Sequence, residues 1–136
     1  MTVQIADSIA NAMLDSWEAS IGASPILRLR TGAPPANVAA ASTGTVVASL
    51  TLPADWMAAA AARSKSLSGT WQDLAADAAG TVGHYEIVAS NGTTRMEQGT
   101  VTATGGGGDM TIDNTVVAAG QQVTVTAFTR SMPNNA

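Results

Sequence analysis

The chain has 136 residues, a formal net charge of −4 and no cysteine, which excludes a disulfide framework and a thiolate metal site. The length predicts a single domain, residues 1–136, that buries roughly two-thirds of the surface of its unfolded chain. Six basic residues are scattered among ten acidic ones, so the sequence offers no basic stripe for a phosphate backbone, and we expect no nucleic-acid partner.

The apolar content of the chain is dominated by alanine. Hydrophobic residues make up 46% of the sequence, but 27 of them are alanines, and Ile, Leu, Val and Phe together number 25. We therefore predict a folded domain with a small hydrophobic core. Small cores often gain stability from neighbouring copies, so the composition is a first indication of an oligomer.

An amphipathic helix is predicted at the N-terminus, over residues 1–22. Ile5, Ile9, Met13 and Trp17 recur every four residues, and a glycine then ends the pattern. These four residues are candidate assembly contacts, and the alternative is that they pack against the chain's own sheet. We expect no signal peptide, because the first residues lack a positive segment and a continuous apolar segment. No run approaches the ~20 apolar residues of a membrane span, so no membrane partner is expected.

The next part of the chain predicts two strands and a short helix. Residues 26–30 and 45–52 show the alternation of apolar and polar residues that is typical of strands, and a proline-containing loop, residues 31–44, joins them. The alanine-rich stretch 53–62 predicts a short helix, because alanine is the strongest helix former. Residues 71–79 fit either a strand or an alanine-rich turn.

The C-terminal half predicts two antiparallel hairpins, because alternating small β-formers are separated by turn residues. Asn91-Gly92, the dipeptide most typical of a tight hairpin turn, closes the first hairpin, and residues 118–121 close the second. The predicted strand pairs are residues 84–89 with 94–101 and residues 110–117 with 122–128. Four consecutive glycines, residues 105–108, link the hairpins, since so flexible a segment is poorly suited to the inside of a strand.

Together these elements predict a mainly β fold with an N-terminal α-helix. About six strands and one or two short helices favour an antiparallel β-sandwich or a jelly-roll-like domain. The domain then consists of the N-terminal helix, residues 1–22, and a β-rich body, residues 26–136.

Two glutamates of the first hairpin form a candidate acid–base pair. A two-residue turn places Glu86 opposite Glu97, with His84 on the same face. Paired carboxylates carry out glycoside hydrolysis, but an open hairpin face tolerates such a pair when a diagonal cation such as Arg95 is near. We expect a polar, solvent-exposed sheet face here, no catalytic residue and no enzymatic activity.

No metal or cofactor site is predicted. Asp109 and Asp113 lie beside the four glycines, but their spacing matches no calcium-binding loop, and a solvated strand face is the favoured interpretation. The glycine run also lacks the Lys-Ser/Thr that follows it in a phosphate-binding loop. Trp17, Trp56 and Trp71 are interpreted as core anchors, with a sugar-stacking platform as the alternative.

A further indication comes from short segments spread over nearly the whole chain. They are Ile5-Ala6-Asp7-Ser8-Ile9, Leu52-Pro53-Ala54-Asp55-Trp56-Met57, Thr70-Trp71-Gln72-Asp73, Gly80-Thr81-Val82-Gly83-His84-Tyr85, Gln98-Gly99-Thr100-Val101-Thr102, Gly105 to Met110 with Ile112-Asp113-Asn114, and Gly120 through Val123-Thr124-Val125-Thr126. Together these segments resemble a group of small proteins encoded by tailed bacteriophages and prophages. The resemblance brings no catalytic motif with it, so it assigns no residue a role.

The resemblance implies a virion structural protein that is assembled in the cytoplasm of a bacterial host. A small, acidic, β-rich chain of this kind is similar to head decoration or cement proteins, which bind the outside of a capsid shell and hold its capsomers together. The implied partners are further copies of the chain, with a trimer as the first expectation, and the major capsid protein. A tail or tail-fibre protein with a tail partner is the main alternative, and a carbohydrate-binding module is a further one.

Overall fold

A computed structural model describes residues 3–132, which fold into one helix and a strongly curled, mixed β-sheet. Helix α1 spans Asp7–Ile21. The strands are β1 Ile26–Thr31, β2 Val46–Thr51, β3 Ser64–Ser66, β4 Gln72–Asp73, β5 Gly80–Val88, β6 Arg95–Ala103, β7 Met110–Ile112, β8 Val116–Val117 and β9 Val123–Ser131. The predicted mainly β fold with an N-terminal helix is confirmed. The first two and the last four residues of the predicted domain lie outside the described part.

The strand order of the sheet is β2-β1-β5-β6-β7-β9-β3, with β4 paired to β9 and β8 paired to β5. Within residues 3–132 there are nine strands instead of about six, and the β6–β7 pair is parallel, so the prediction of a purely antiparallel topology was wrong. The sheet curls until its β2 end meets the chain around β4, where Ser49 N donates to the Asp73 carboxylate. Across the described residues, no helix is both long and apolar enough to span a membrane.

The four consecutive glycines allow the parallel pair to form after a very short connection. Residues 104–109 join β6 to β7, whereas parallel neighbours usually need a dozen or more connecting residues. The backbone of Gly106 and Gly108 lies directly against Thr102, and a Cβ at these positions would come within 2.7 Å and 2.9 Å of Thr102 atoms. The four glycines therefore form a loop, as predicted, but the loop joins two parallel neighbouring strands and does not link two hairpins.

The alanine-rich stretch 53–62 is not a helix, which corrects the prediction. Trp56 and Met57 are both buried, and adjacent residues of a helix do not share one face. Met57 instead bridges to Leu67 in an antiparallel arrangement, and a positive φ of 50° at Ala62 turns the chain toward β3. Tertiary pairing thus outweighs the helix propensity of alanine.

All five aromatic side chains of the chain form one cluster in the core. The ring centroids lie 5.2 Å apart for Trp17 and Trp56, 5.9 Å for Trp56 and Trp71, 5.6 Å for Trp71 and Phe128, and 5.6 Å for Tyr85 and Phe128. Trp56 and Trp71 are each 1% exposed, and half-buried Trp17 packs against the core. The interpretation of the tryptophans as core anchors is confirmed, and the buried rings of Trp56 and Trp71 offer no sugar-stacking surface.

Helix α1 packs on the body through a different face from the row of residues spaced by four. Leu14 and Ile21 are buried, whereas Ile9 and Met13 are 52% and 48% exposed. An α-helix has 3.6 residues per turn, so each step of four residues advances about 40° beyond a full turn. The row from Ile9 through Met13 and Trp17 therefore winds from the solvent side to the core side, and its members do not share one face.

Candidate functional site

Glu97 of β6 lies at the centre of a buried polar cluster on the inner face of the curled sheet. Its carboxylate accepts hydrogen bonds from Trp17 Nε1 at 3.0 Å and from the Tyr85 hydroxyl at 2.9 Å. The Arg130 guanidinium lies 3.1 Å from this carboxylate and stacks 5.3 Å from the centroid of the Trp17 ring. Burial raises the pKa of Glu97, although Arg130 and the two hydrogen bonds act against the rise.

The pKa of the neighbouring Tyr85 hydroxyl is also raised, first by burial and then by the adjacent Glu97 carboxylate. A neutral tyrosine that donates to a carboxylate is therefore the stable arrangement at neutral pH. This hydrogen bond links the core aromatic cluster to the polar cluster around Glu97. The pair anchors the fold and does not present an ionised nucleophile.

A surface pocket of about 270 Å³ opens beside the Glu97 cluster. Tyr85 and Phe128 line it but are themselves buried, so they do not offer an open ring face to a ligand. Asp109 also lines the pocket, and its carboxylate accepts hydrogen bonds from the amide and the hydroxyl of Thr100. These polar groups of the pocket are thus bonded within the chain.

Glu86 of β5 is buried on the opposite, outer face of the sheet, among three arginines. Arg30 Nε donates to the carboxylate at 2.8 Å, and nitrogens of Arg95 and Arg28 lie 3.4 Å and 3.7 Å from it. The Ser42 hydroxyl donates to the second carboxylate oxygen at 2.8 Å. Burial acts to raise the pKa of Glu86, but the hydrogen bonds from Ser42 and the arginines outweigh it, so the pKa is lowered.

The outer face of the sheet also holds the 32–44 loop in place. Four side chains of this face donate hydrogen bonds to backbone carbonyl oxygens of the loop. These are Arg95 to Val38 and Ala40, Arg30 to Gly44, Gln98 to Pro35, and His84 Nδ1 to Gly32. The loop therefore covers polar side chains that were predicted to be exposed to solvent.

The predicted cross-strand pair of Glu86 and Glu97 is not formed. Pairing next to the turn follows the prediction, but Met96 forms a bulge that shifts the register by one residue. As a result Glu86 faces Gln98, and Glu97 faces Ile87. Because alternate residues of a strand point to opposite faces, the two carboxylates lie on opposite sides of the sheet.

The expected exposed polar face is also wrong, because His84, Glu86 and Glu97 are all buried. Each of them is bonded within the chain, His84 to the 32–44 loop and the two glutamates to arginines. Arg95 is a partner of Glu86, as the sequence suggested. These three residues therefore stabilise the fold and do not form an exposed polar sheet face.

Asp109 and Asp113 bind different parts of the backbone. Asp109 accepts a hydrogen bond from the amide of Thr100, whereas Asp113 accepts hydrogen bonds from the amides of Asn114 and Thr124. Among residues 3–132, no group of three or more His, Asp or Glu side chains is arranged to hold a metal ion. The two aspartates therefore stabilise separate loops.

The charged side chains of helix α1 pair with cations of the protein body. Lys65 of β3 is 3% exposed, and its Nζ lies 2.6 Å from Asp15 and 2.7 Å from Glu18. At the start of the helix, the Arg63 guanidinium lies 3.1 Å from the Asp7 carboxylate. All three charged residues of the helix thus pair with cations of β3 or of the chain before it, while the Asp7 and Asp15 side chains stay 69% and 57% exposed.

One part of the solvent side of α1 carries no charge. We call it the α1 outer face, and it consists of seven exposed residues, Ser8, Ile9, Ala12, Met13, Ser16, Ala19 and Ser20. Asp7 and Asp15, the other exposed residues of the helix, are paired with Arg63 and Lys65 and are not part of this face. Ile9 and Met13 are the two large apolar side chains of this face. It therefore has the character of an interaction surface.

The α1 outer face contains two of the four candidate assembly contacts. Trp17 packs into the protein's own aromatic cluster. Ile5 precedes the helix, is half-buried, and its carbonyl oxygen accepts a hydrogen bond from Arg63. The structure thus brings Ile9 and Met13 together at the surface and separates them from the other two.

No sequence pattern pointed to Lys65, Tyr85 or Arg130 as members of a polar cluster. Lys65 is the one lysine of the chain and lies among small residues, which is the signal that would have identified it. Its partner Asp15 is 50 positions away, so no local periodicity connects them. Tyr85 and Arg130 have no comparable signal, because curling of the sheet brings them together.

No protein-family model, no curated protein and no solved structure matches the chain. Its fold and surfaces define a small β-rich domain that is braced by buried ion pairs and carries one uncharged helix face.

Proposed function

We propose that the protein is a non-enzymatic structural component of a bacteriophage virion and decorates the outside of the capsid as a cement protein. The observation that carries this proposal is the distribution of charge. All six basic side chains are bonded within the chain, namely Arg28, Arg30 and Arg95 to Glu86, Arg63 to Asp7, Lys65 to Asp15 and Glu18, and Arg130 to Glu97. The surface is left acidic, which suits the outside of a shell better than contact with packaged DNA.

The internal bonding of the domain supports a structural role. Ion pairs fix α1 to β3, and arginines fix the 32–44 loop to the sheet. The two glutamates that resembled an acid–base pair lie on opposite faces and are each bonded to cations. A protein that holds capsomers together needs a rigid body and contact surfaces. The ion pairs and hydrogen bonds described here supply the rigid body.

The proposed partners are further copies of the chain and the major capsid protein, and the proposed location is the virion. The α1 outer face supplies an uncharged contact surface on an otherwise acidic molecule. A sandwich-like or jelly-roll-like architecture is part of the proposal. It is supported by the packing of Tyr85 of β5 against Phe128 of β9 across the curled sheet, at 5.6 Å between ring centroids.

Immunogold electron microscopy tests the location. An antibody raised against the purified chain is applied to particles from the host that encodes it, and particles from a strain without the gene serve as the control. We expect label distributed over the heads. Label confined to the tail would favour a tail-associated protein, and the absence of label from every particle would contradict both virion assignments.

A further inference from the structure

Both end strands of the sheet are bonded along their outer edges. Beside β2, the amide of Asp77 donates to the carbonyl oxygen of Val47, and beside β3 the amide of Ala58 donates to that of Ser66. A second copy would have to displace these bonds to add a strand there. Pairing of copies through these sheet edges is therefore disfavoured.

The α1 outer face is better suited to contact between copies. The chain has a net charge of −4, so two copies that meet through acidic surfaces repel each other. None of the seven residues of the α1 outer face is a carboxylate, and the exposed Asp7 and Asp15 elsewhere on the helix are each paired with a cation, Arg63 and Lys65. Two copies that meet there keep their charges apart and remove apolar surface from water.

The shape of this face is complementary to itself in one orientation. Ile9, Met13, Ser16 and Ser20 form a seam with spacings of four, three and four residues, as on packed helix pairs. When the two helices are antiparallel, Ile9 faces Ser20 of the second copy and Met13 faces Ser16. Each large side chain then meets a small one, which is how packed layers interdigitate. Parallel helices would place large against large and serine against serine, and would leave a gap.

We infer that a second copy of this chain binds the α1 outer face, with the two helices antiparallel about a two-fold axis that passes between Met13 and Ser16. The contact goes beyond the proposed function, because it does not require a virion. It forms a dimer, in contrast to the trimer that the phage resemblance implies. One helix face is small beside the 1,200–2,000 Å² that stable complexes typically bury, so we expect a Kd on the order of micromolar or weaker.

Sedimentation equilibrium of the full chain tests the contact. The wild type should show a reversible monomer–dimer equilibrium, and Met13→Asp should raise the Kd at least about tenfold, since it places a carboxylate in the seam. Leu74→Asp is the matched control, because Leu74 is 68% exposed and lies outside α1. It should dimerise like the wild type.

Both substituted side chains are exposed, so circular dichroism should show that each variant melts cooperatively, as the wild type does. A wild type that is a monomer at millimolar concentration, or a trimer, overturns the inference. It is also overturned if Met13→Asp dimerises like the wild type. None of these results bears on the location of the protein in a particle.

Disulfide trapping tests the orientation, because the chain has no native cysteine. The Met13→Cys and Ser16→Cys variants are prepared separately, mixed and mildly oxidised. Antiparallel helices should give mainly a disulfide between position 13 of one copy and position 16 of the other. In parallel helices each position would face the same position of the other copy, so disulfides would form mainly between two copies of the same variant. A predominance of those products would contradict the proposed geometry.

Discussion

Lys65 Nζ lies 2.6 Å from the Asp15 carboxylate, and this contact joins the middle of helix α1 to strand β3. The hydrogen bond from Lys65 lowers the pKa of Asp15. Burial acts to lower the pKa of Lys65, but its hydrogen bonds to Asp15 and Glu18 outweigh that effect and raise the pKa. The contact fixes the rotation of the helix, and thereby turns Ile9 and Met13 toward solvent.

Lys65→Met should destabilise the fold by about 1.5–3 kcal/mol, the range for hydrogen bonds to charged groups. The variant keeps the apolar stem but leaves Asp15 and Glu18 without their cation. Urea unfolding at pH 7, followed by circular dichroism, measures the loss. Asp15→Asn is the control and should lose less, because the Asp15 side chain is exposed to water. An unchanged unfolding midpoint in Lys65→Met would show that the contact does not stabilise the helix.

Glu86→Gln should destabilise the protein at pH 7 by about 2–4 kcal/mol, between the values for a charged hydrogen bond and a broken buried ion pair. The neutral amide leaves three arginines without their counter-charge. The folded pKa of Glu86 is lowered from its ordinary value of 4.5. Its stabilisation is therefore complete above about pH 4.5 and is lost as the pH falls through the folded pKa.

The difference in unfolding free energy between the wild type and Glu86→Gln should accordingly become smaller in acid. Urea titrations at pH 7 and pH 3 measure this difference. A difference that stays constant, or grows at pH 3, would contradict the assignment of Glu86 as an ionised, arginine-bound carboxylate.

Glu97→Gln should show the opposite dependence on pH. The folded pKa of Glu97 is raised above 4.5, so its contribution is complete below about pH 4.5 and is lost as the pH rises through the folded pKa. The wild type should therefore lose stability relative to Glu97→Gln between acid and neutral pH. The same urea titrations measure this trend, and a parallel response of both glutamate variants would show that the two environments do not differ.

Turn chemistry made the first hairpin predictable from sequence. The Asn91 side-chain oxygen accepts hydrogen bonds from the amides of Thr93 and Thr94, and Gly92 has a positive φ of 78°. All of these interactions lie within four residues of chain. Signals of this kind can be read from the sequence, because they depend on local backbone conformation.

The bulge at Met96 was not predictable, because distant contacts accompany it. The neighbouring Arg95 donates to the carbonyl oxygens of Val38 and Ala40, which are 57 and 55 positions away. One extra residue in a strand sends every following side chain to the other face. For this reason the predicted pairing of Glu86 with Glu97 failed, although the turn was correct.

The candidate interaction surface was predictable in part. Periodicity identified Ile9 and Met13 as members of an apolar row, but the row winds around the helix. Which members reach solvent depends on the rotation of α1, and Lys65 and Arg63 set that rotation from 50 and 56 positions away. The sequence pattern therefore included the exposed residues Ile9 and Met13, but it did not distinguish them from the core residue Trp17.

Deletion of residues up to Ser20 should unfold the domain. Leu14 and Trp17 pack into the core, and burial of such side chains contributes roughly 1.5–3 kcal/mol each. The deletion also leaves buried Lys65 without its carboxylate partners. Thermal melting followed by circular dichroism checks this. Ile9→Ala is the matched control, and its free energy of unfolding should stay within about 0.5 kcal/mol of the wild-type value. A truncated chain that melts cooperatively near the wild-type temperature would refute the packing role of α1.

The most direct test of the proposed role is the binding of purified protein to capsids that lack it. Particles assembled without the gene are mixed with increasing amounts of protein, separated from free protein by gradient sedimentation and imaged. A decoration protein should bind heads saturably, with many copies on each, and should make those heads more resistant to heat. If the protein stays at the top of the gradient at every concentration, or is found only on tails, the proposal of a capsid cement protein is contradicted.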